Sequence, residues 1–262
     1  MENTIKKRLS GWSEYQFYSC TIFKPNNFED LQSFLQNNKD KKIIARGHGC
    51  SNGDQSILKN GVVIDMSNIN KIISYDNKKK TIEVEAGVKL TEVLMISLKD
   101  DLFLSSTPGG LDITVGGAVS NNIHGKDCFK NGYFENNVKK MKILTSEGKM
   151  IEVSKTQNKE LYEGMFSSQG LLGIIYSIEL ELKQTKSSIL EVETKVANNI
   201  LEMESYFENM SNDSDYAVAW LDCAAKEESI MRGIFSEAKF ITNLETEKNS
   251  NNLIQKKINK FL

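Results

Sequence analysis

The sequence is short of most features that would place it in a specialised class. No stretch approaches the roughly 18 apolar residues that a membrane-crossing helix needs. The N-terminal MENTIKKRLSGWSEY has basic residues without an apolar run behind them, so no secretory signal peptide is expected. Four cysteines, Cys20, Cys50, Cys128 and Cys223, are far apart and form no CxxC pair. Free thiols in a reducing compartment are therefore expected, with neither a disulfide framework nor a zinc site, and a cytoplasmic location follows by default. An excess of one charge is also missing: 33 basic residues face 35 acidic ones, a formal charge of −2. Proteins that track phosphate backbones show a basic excess, so nucleic acid is not expected as a partner. The lysines of KKIIARG (41–47) and NKKK (77–80) read as solvated. Histidine and tryptophan are scarce, with two of each. Trp12, Trp220 and the methionines are expected in the core.

What is present is an interleaving of strands and helices. FKPNNFEDLQSFLQNN (23–38) carries a start signal and then Phe28, Leu31, Phe34 and Leu35 at helical spacing. IIAR, GVVIDMS (61–67) and TIEVEAGV (81–88) read as strands, the last alternating Ile82, Val84 and Ala86 with polar neighbours. Leu90, Val93, Leu94, Ser97 and Leu98 mark a helix. VKKMKILTSEGKMIEVS (138–154) predicts a hairpin turning at Glu147-Gly148, ELYEGMF (160–166) a short helix and GIIYSIELELKQT (173–185) a long strand. Beyond 185 the composition shifts, and ILEVETKV (189–196), the helix near 198–210, YAVAWLDC (216–223) and RGIFSEAKF (232–240) suggest a second α+β unit. The last 22 residues are polar and lysine-rich, with an amphipathic hint at Leu253, Ile254, Ile258 and Leu262.

Eight of the 17 glycines stand in two stretches, ARGHGCSNGD (45–54) and TPGGLDITVGGAVSNNIHGK (107–126). Glycine costs backbone entropy, so such clusters sit where the chain turns tightly or touches something closely. The first is one residue off the dinucleotide fingerprint GxGxxG, but DQSILKN leaves no room for the helix that must follow it, so a Rossmann fold is disfavoured. A P-loop also fails, because HGKD lacks both the earlier glycine and the hydroxyl after the lysine. Two loops of backbone N–H groups remain, able to form an anion-binding nest for a diphosphate with little positive charge. Arg46 is the cation of the first loop and Lys126 that of the second. The competing explanation is a pair of tight turns between strands.

In order along the chain, ARGxGxSxGD, VIDM, EAGV, PGG, TVGGAVSNNIHGK and GLLGII resemble FAD-linked oxidases of the vanillyl-alcohol oxidase (PCMH-type) superfamily. The resemblance is strongest to the flavoprotein oxidase subunits of decaprenylphosphoryl-ribose 2-epimerases, and it runs over about residues 10–240, with SGW (10–12) and YAVAWLD (216–222) included. It implies an α+β fold: a two-lobed PCMH-type FAD-binding domain over 10–185, then an incomplete α+β substrate domain over 186–262. It implies that Ala45, Arg46, Gly47, His48, Gly49, Cys50, Ser51, Asn52, Gly53, Asp54 and Gln55 hold the FAD diphosphate. Pro108, Gly109 and Gly110 then approach from the other side, and Thr114, Val115, Gly116 and Gly117 continue that wall. Asn121, Asn122, Ile123 and His124 line the isoalloxazine, and Ile175 lies near the adenine half.

The resemblance also implies the chemistry. A secondary alcohol of a sugar, with polyprenyl-phosphate-linked ribose as one case, becomes a ketone by hydride transfer to flavin N5. Lys126 supplies charge to the developing alkoxide and His124 positions the hydroxyl, although a structural role for His124 stays open. Cys50 stands where many relatives carry a flavin-linked histidine that this subgroup lacks, so non-covalent FAD is expected, with a cysteinyl link as the alternative. Implied partners are a sugar or lipid-linked sugar and either a short-chain reductase or a second polypeptide completing the fold, with a lipid-linked substrate placing the protein at a membrane surface without spanning it. The relatives are longer, so a non-catalytic or partner-dependent FAD-binding subunit, or a fragment without the C-terminal catalytic segment, is the alternative function.

Overall fold

The computed structural model describes residues 4–185 and 189–241; the amphipathic pattern at Leu253, Ile254, Ile258 and Leu262 lies outside them. The elements are β1 (Thr4–Leu9), β2 (Tyr18–Phe23), α1 (Phe28–Asn37), β3 (Ile43–Arg46), β4 (Val62–Asp65), β5 (Ile72–Asp76), β6 (Thr81–Glu85), α2 (Leu90–Ser97) and β7 (Leu102–Phe103). They continue with α3 (Val115–Ser120), α4 (Cys128–Asn131), β8 (Val138–Leu144), β9 (Met150–Ser154), α5 (Lys159–Met165), β10 (Ile174–Glu181) and β11 (Lys183–Gln184). Last come β12 (Leu190–Ala197), α6 (Ile200–Glu208), β13 (Tyr216–Leu221) and β14 (Gly233–Phe240). The mixture is α+β, as the sequence suggests. Contacts divide the chain in two. The first unit takes the described residues up to His124 and then Tyr133–Lys183; the second takes Gly125–Gly132 and the described residues from Gln184 onward.

The first unit holds two larger sheets around its main core. One has the order β1-β2-β4-β3, with β2, β4 and β3 parallel and β1 antiparallel at the edge. Side chains alternate across it: Phe23, Val62 and Ile64 enter the main core, while Ile22, Val63 and Ile44, aligned in register, form a small cluster with Cys20 on the other face. α1 starts because the Asn27 side chain accepts from Asp30 N at 2.8 Å, and it buries Leu31, Phe34 and Leu35, with Phe34 stacked on Phe23. The other sheet, β5-β6-β10-β8-β9, is antiparallel throughout. Ile82, Val84, Ile178, Leu180, Met141 and Ile143 carry its buried face onto α2, α3 and α5. Each such side chain contributes about 1.5–3 kcal/mol on leaving water.

The structure departs from the sequence reading in three places. β1, β2 and β5 were not visible as strands; β1 is polar and largely exposed, so nothing in its pattern alternates. TVGGAVS, read as part of a loop, contains helix α3 despite its two glycines. The tryptophans are not core residues: Trp12 is 72% and Trp220 64% exposed. Trp12 sits in a turn that uses only its backbone, and Trp220 stands on an outward sheet face.

The second unit is an antiparallel sheet, β12-β14-β13. One face is covered by α6, which packs Met203 with Ala197 and Phe235, the Tyr206 and Phe207 rings lying against Phe235. Register puts Val196, Ile234 and Trp220 in one row of the other face and Thr194, Ser236 and Val218 in the next. Most of that face is exposed and apolar. Gly125–Gly132 joins the edge at β13, where Ala217 N donates to Lys126 O at 2.8 Å and Lys130 pairs with Asp215 at 2.7 Å.

Glu237 is a buried acid of this unit. It accepts from Ser214 Oγ at 2.6 Å, Ser211 N at 3.1 Å and Lys195 Nζ at 3.3 Å, and these bonds, led by Ser214, hold its carboxyl below the usual range. A lowered folded pKa stabilises the fold above the ordinary value of 4.5 and loses that contribution as pH falls through the folded value. We expect Glu237→Gln to cost about 1.5–3 kcal/mol at neutral pH. Denaturant melts should show this gap closing on acidification below the glutamate range.

Candidate functional site

A cavity of about 330 Å³ opens in the first unit. Its wall begins with the end of β3 and the loop after it: Ala45, Arg46, Gly47, His48, Gly49, Cys50, Ser51, Asn52 and Gln55 all line it. Thr114, Gly116, Gly117, Asn121 and Ile123 line it from α3 and the residues flanking it, and Ile175 from β10. The two glycine runs meet at Gly47, where a side chain would overlap the Thr114 hydroxyl. Gly49 has φ +73°, a left-handed conformation that suits glycine.

Their backbone donors are used differently. Among the described residues, no N–H from His48 to Gly53 donates to a protein acceptor. The carbonyls of that loop are occupied, Ser51 O by Trp12 N at 2.8 Å and Asn52 O by Ser13 Oγ at 2.5 Å. In the second run the N–H groups are taken: Val115 N bonds Val88 O at 2.8 Å, Gly116 N bonds Ala86 O at 2.9 Å and Gly117 N bonds Thr114 Oγ1 at 3.2 Å. The first loop can therefore receive an anion on its backbone, while the start of α3 is docked onto the chain leaving β6.

Arg46 ties the far end of the first loop and the N-terminal segment to the end of β3. Its Nη1 donates to Ser56 Oγ at 3.1 Å and its Nη2 to Ser10 O at 2.9 Å. Burial pulls its guanidinium down from the ordinary value while Asp65 pulls it back up. It remains a cation beside the cavity. The Cys50 thiol is pushed up, first by burial and then by Asp112, and it lies 3.8 Å from Asp112 O. A raised thiol pKa leaves little thiolate at neutral pH.

Other sequence candidates do not line the cavity. Gly53 and Asp54 are exposed on the loop, and Val115 is fully buried in the core. Pro108, Gly109 and Gly110 also stand apart, and a side chain at Gly109 or Gly110 would meet nothing within 4 Å. The Asn122 amide pairs with Glu135, Nδ2 donating to Oε2 at 3.0 Å and Oδ1 accepting from Glu135 N at 3.0 Å. Asn121 Nδ2 donates to Gly117 O at 2.9 Å. His124 is exposed and meets the Tyr133 ring edge-on at 5.8 Å. Lys126 is exposed, and the division between the units falls between it and His124.

The sequence reading missed Ser56, Met66, Ala86, Ile113, Ser120, Gln169, Gly170 and Gly173 in the lining. A signal existed for two of them. Gly170 and Gly173 belong to GLLGII, and their φ values of +81° and +152° explain why glycine stands there. The rest are ordinary side chains whose placement depends on distant partners.

The class follows from this arrangement: an α+β domain whose cavity is bordered by backbone N–H groups that no protein acceptor uses. The chain belongs to the FAD binding domain family, matched over residues 21–154, just over half its length, and to the PCMH-type superfamily of flavoproteins. Its cofactor is FAD. Among curated proteins it is similar to decaprenylphosphoryl-β-D-ribose oxidase of Mycolicibacterium smegmatis, at 29% identity over 238 residues, 89% of this chain and 52% of that protein. L-gulonolactone oxidase of Bos taurus is 29% identical over 181 residues, 66% of this chain and 40% of its own length. Cytokinin dehydrogenase 1 of Arabidopsis thaliana is 27% identical over 215 residues, 79% and 36% respectively. The chain spans about half, or less, of the length of these relatives. Among the described residues no helix is long and apolar enough to cross a membrane.

Two substitutions separate packing from open space. At Gly116 a Cβ would lie 2.8 Å from Ala86 Cβ and 3.1 Å from its carbonyl oxygen. Gly116→Val should therefore cost about 1–3 kcal/mol by displacing α3. Gly109→Ala should leave the thermal midpoint unchanged; equal losses at both positions in calorimetry would contradict the packing described here.

Proposed function

We propose that the chain is the FAD-binding part of an oxidoreductase that turns a secondary alcohol of a sugar into a ketone, with polyprenyl-phosphate-linked ribose as the preferred substrate class. The observation that carries this is the 89% of the chain aligned with a decaprenylphosphoryl-β-D-ribose oxidase, against 66% with L-gulonolactone oxidase. The free N–H groups of His48–Gly53 fit a diphosphate, and Arg46 adds positive charge beside them. Bound FAD supplies a hydride acceptor. In this reading the cavity wall from Gly47 to Gln55 holds the diphosphate, and Gly116, Gly117, Asn121, Ile123 and Ile175 shape the remainder. Pro108–Gly110, Asn122 and His124 act beyond the cavity lining, at the ligand's outer side. Lys126 offers charge to a developing alkoxide and His124 orients the hydroxyl. FAD is held without a covalent bond, in keeping with the raised pKa of Cys50.

A second reading is favoured by the outward sheet face of the second unit. Val192 is 59%, Val196 67% and Trp220 64% exposed on one continuous face. Apolar area of this kind marks a surface that another polypeptide covers. The chain is then a partner-dependent FAD-binding subunit, whose alcohol site is completed by a second polypeptide or a companion reductase. A lipid-linked substrate would put the assembly at the cytoplasmic surface of a membrane.

The deciding test is the visible spectrum of the purified chain mixed with FAD and desalted, before and after acid precipitation. Flavin bands retained by the protein and released into the acid supernatant are expected. Bleaching of those bands by a polyprenyl-phosphate pentose under anaerobic conditions supports the oxidoreductase. Retained flavin without bleaching supports the partner-dependent subunit. A colourless protein rejects independent flavin binding and leaves the partner-dependent subunit.

A further inference from the structure

The segment Ser10–Ser13 makes an unusual set of contacts with the first glycine loop. Trp12 N donates to Ser51 O at 2.8 Å, and Ser13 Oγ donates to Asn52 O at 2.5 Å. Gly11 lies so close to the loop that a Cβ would overlap Gly53 O, with Ser51 O at 2.8 Å and Asn52 O at 2.9 Å. Arg46 Nη2 fixes the start of the segment through Ser10 O at 2.9 Å. Three successive carbonyls, of Ser51, Asn52 and Gly53, thus face one short strap.

A trans peptide unit sets its C=O and the following N–H on opposite sides. Holding those three carbonyls against the strap turns the N–H groups of Asn52, Gly53 and Asp54 away from it. Without such restraint, a loop of this composition has many backbone states available, and Gly53 most of all. The indole of Trp12 takes no part, since it is 72% exposed.

We propose that Ser10–Ser13 is a positioning strap that pre-orients the first glycine loop for the diphosphate of FAD. It acts through the loop and not by touching the ligand. The inference rests on the proposed placement of the diphosphate at this loop. It adds a determinant of affinity that lies outside the cavity lining and upstream of the matched family segment, which begins at residue 21.

The test measures binding of FAD and of ADP to the full 262-residue chain by titration calorimetry, for the wild type and three variants. Gly11→Val wedges the strap off the loop and should weaken both ligands about tenfold or more. Ser13→Ala removes one restraint and should weaken both about three- to tenfold. Trp12→Phe keeps the N–H and should bind like the wild type. Amide exchange at Asn52 and Gly53 should slow on adding ADP to the wild type, and less so in Ser13→Ala. If Gly11→Val does not fold, Ser13→Ala decides the matter. Wild-type affinity in Ser13→Ala overturns the strap, as does a loss confined to FAD with ADP unchanged, because the strap acts on the half that both ligands share. A wild type that binds neither ligand rejects the diphosphate site itself, and the strap falls with it.

Discussion

The first unit depends on the crossing of the chain at Glu85–Val88, where four parts of the fold share one run of backbone. Ala86 N bonds Tyr176 O at 2.8 Å and Gly87 N bonds Ile69 O at 2.7 Å, while Ala86 O and Val88 O accept the first two N–H groups of α3. Gly87 has no space for a side chain, since a Cβ would overlap Met66 O and lie 2.6 Å from Ile69 O. The buried Glu85 completes the junction, accepting from Lys71 N at 2.7 Å and Tyr176 OH at 2.9 Å. The Tyr176 hydroxyl is pushed well above its usual pKa, first by burial and then by that bond, so it stays a donor. An unpaired carboxylate here would be costly, and its two partners tie β5 to β10.

The cavity is a consequence of that junction. Because α3 spends its first N–H groups on the chain leaving β6, it cannot be an anion site, and that property is left to the loop after β3. Gly47 brings the loop against Thr114, the N-cap of α3, so the two glycine runs are joined through one contact. The first run leaves its backbone N–H groups without protein acceptors, while Gly116 in the second stands where α3 packs closely on Ala86. The two look alike in sequence.

The second unit is built more loosely. Its sheet has one face sealed by α6 and a buried Glu237 with three donors, and the other face open and apolar. An antiparallel sheet that faces water ordinarily alternates apolar with polar. Here both sides of β12 and β14 carry apolar positions, so the local pattern satisfies strand formation without specifying what covers the outer face. This is why a partner-dependent reading and an independent oxidoreductase both fit the same chain.

Much of this architecture was legible beforehand. α1 follows from Asn27 and the spacing of Leu31, Phe34 and Leu35, and the β8–β9 hairpin follows from alternation and Gly148, at φ +75°. The loop from Ala45 to Gln55 stood out by its glycines and the motif around it, and most of it lines the cavity. Periodicity and turn chemistry are local, and the sequence carries them without help. Long-range pairing is not local. β1 and β2 owe their place to partners rather than to pattern, Met66, Ala86 and Gln169 reach the cavity wall only through folding, and the exposure of Trp12 and Trp220 reverses what their hydrophobicity suggests. The sequence by itself determined the helices and strands that carry a clear apolar pattern, the turn between β8 and β9, and where the two glycine runs lie. Only the tertiary structure decided which N–H groups stay free, because that depends on whether a carbonyl from elsewhere in the chain reaches them first.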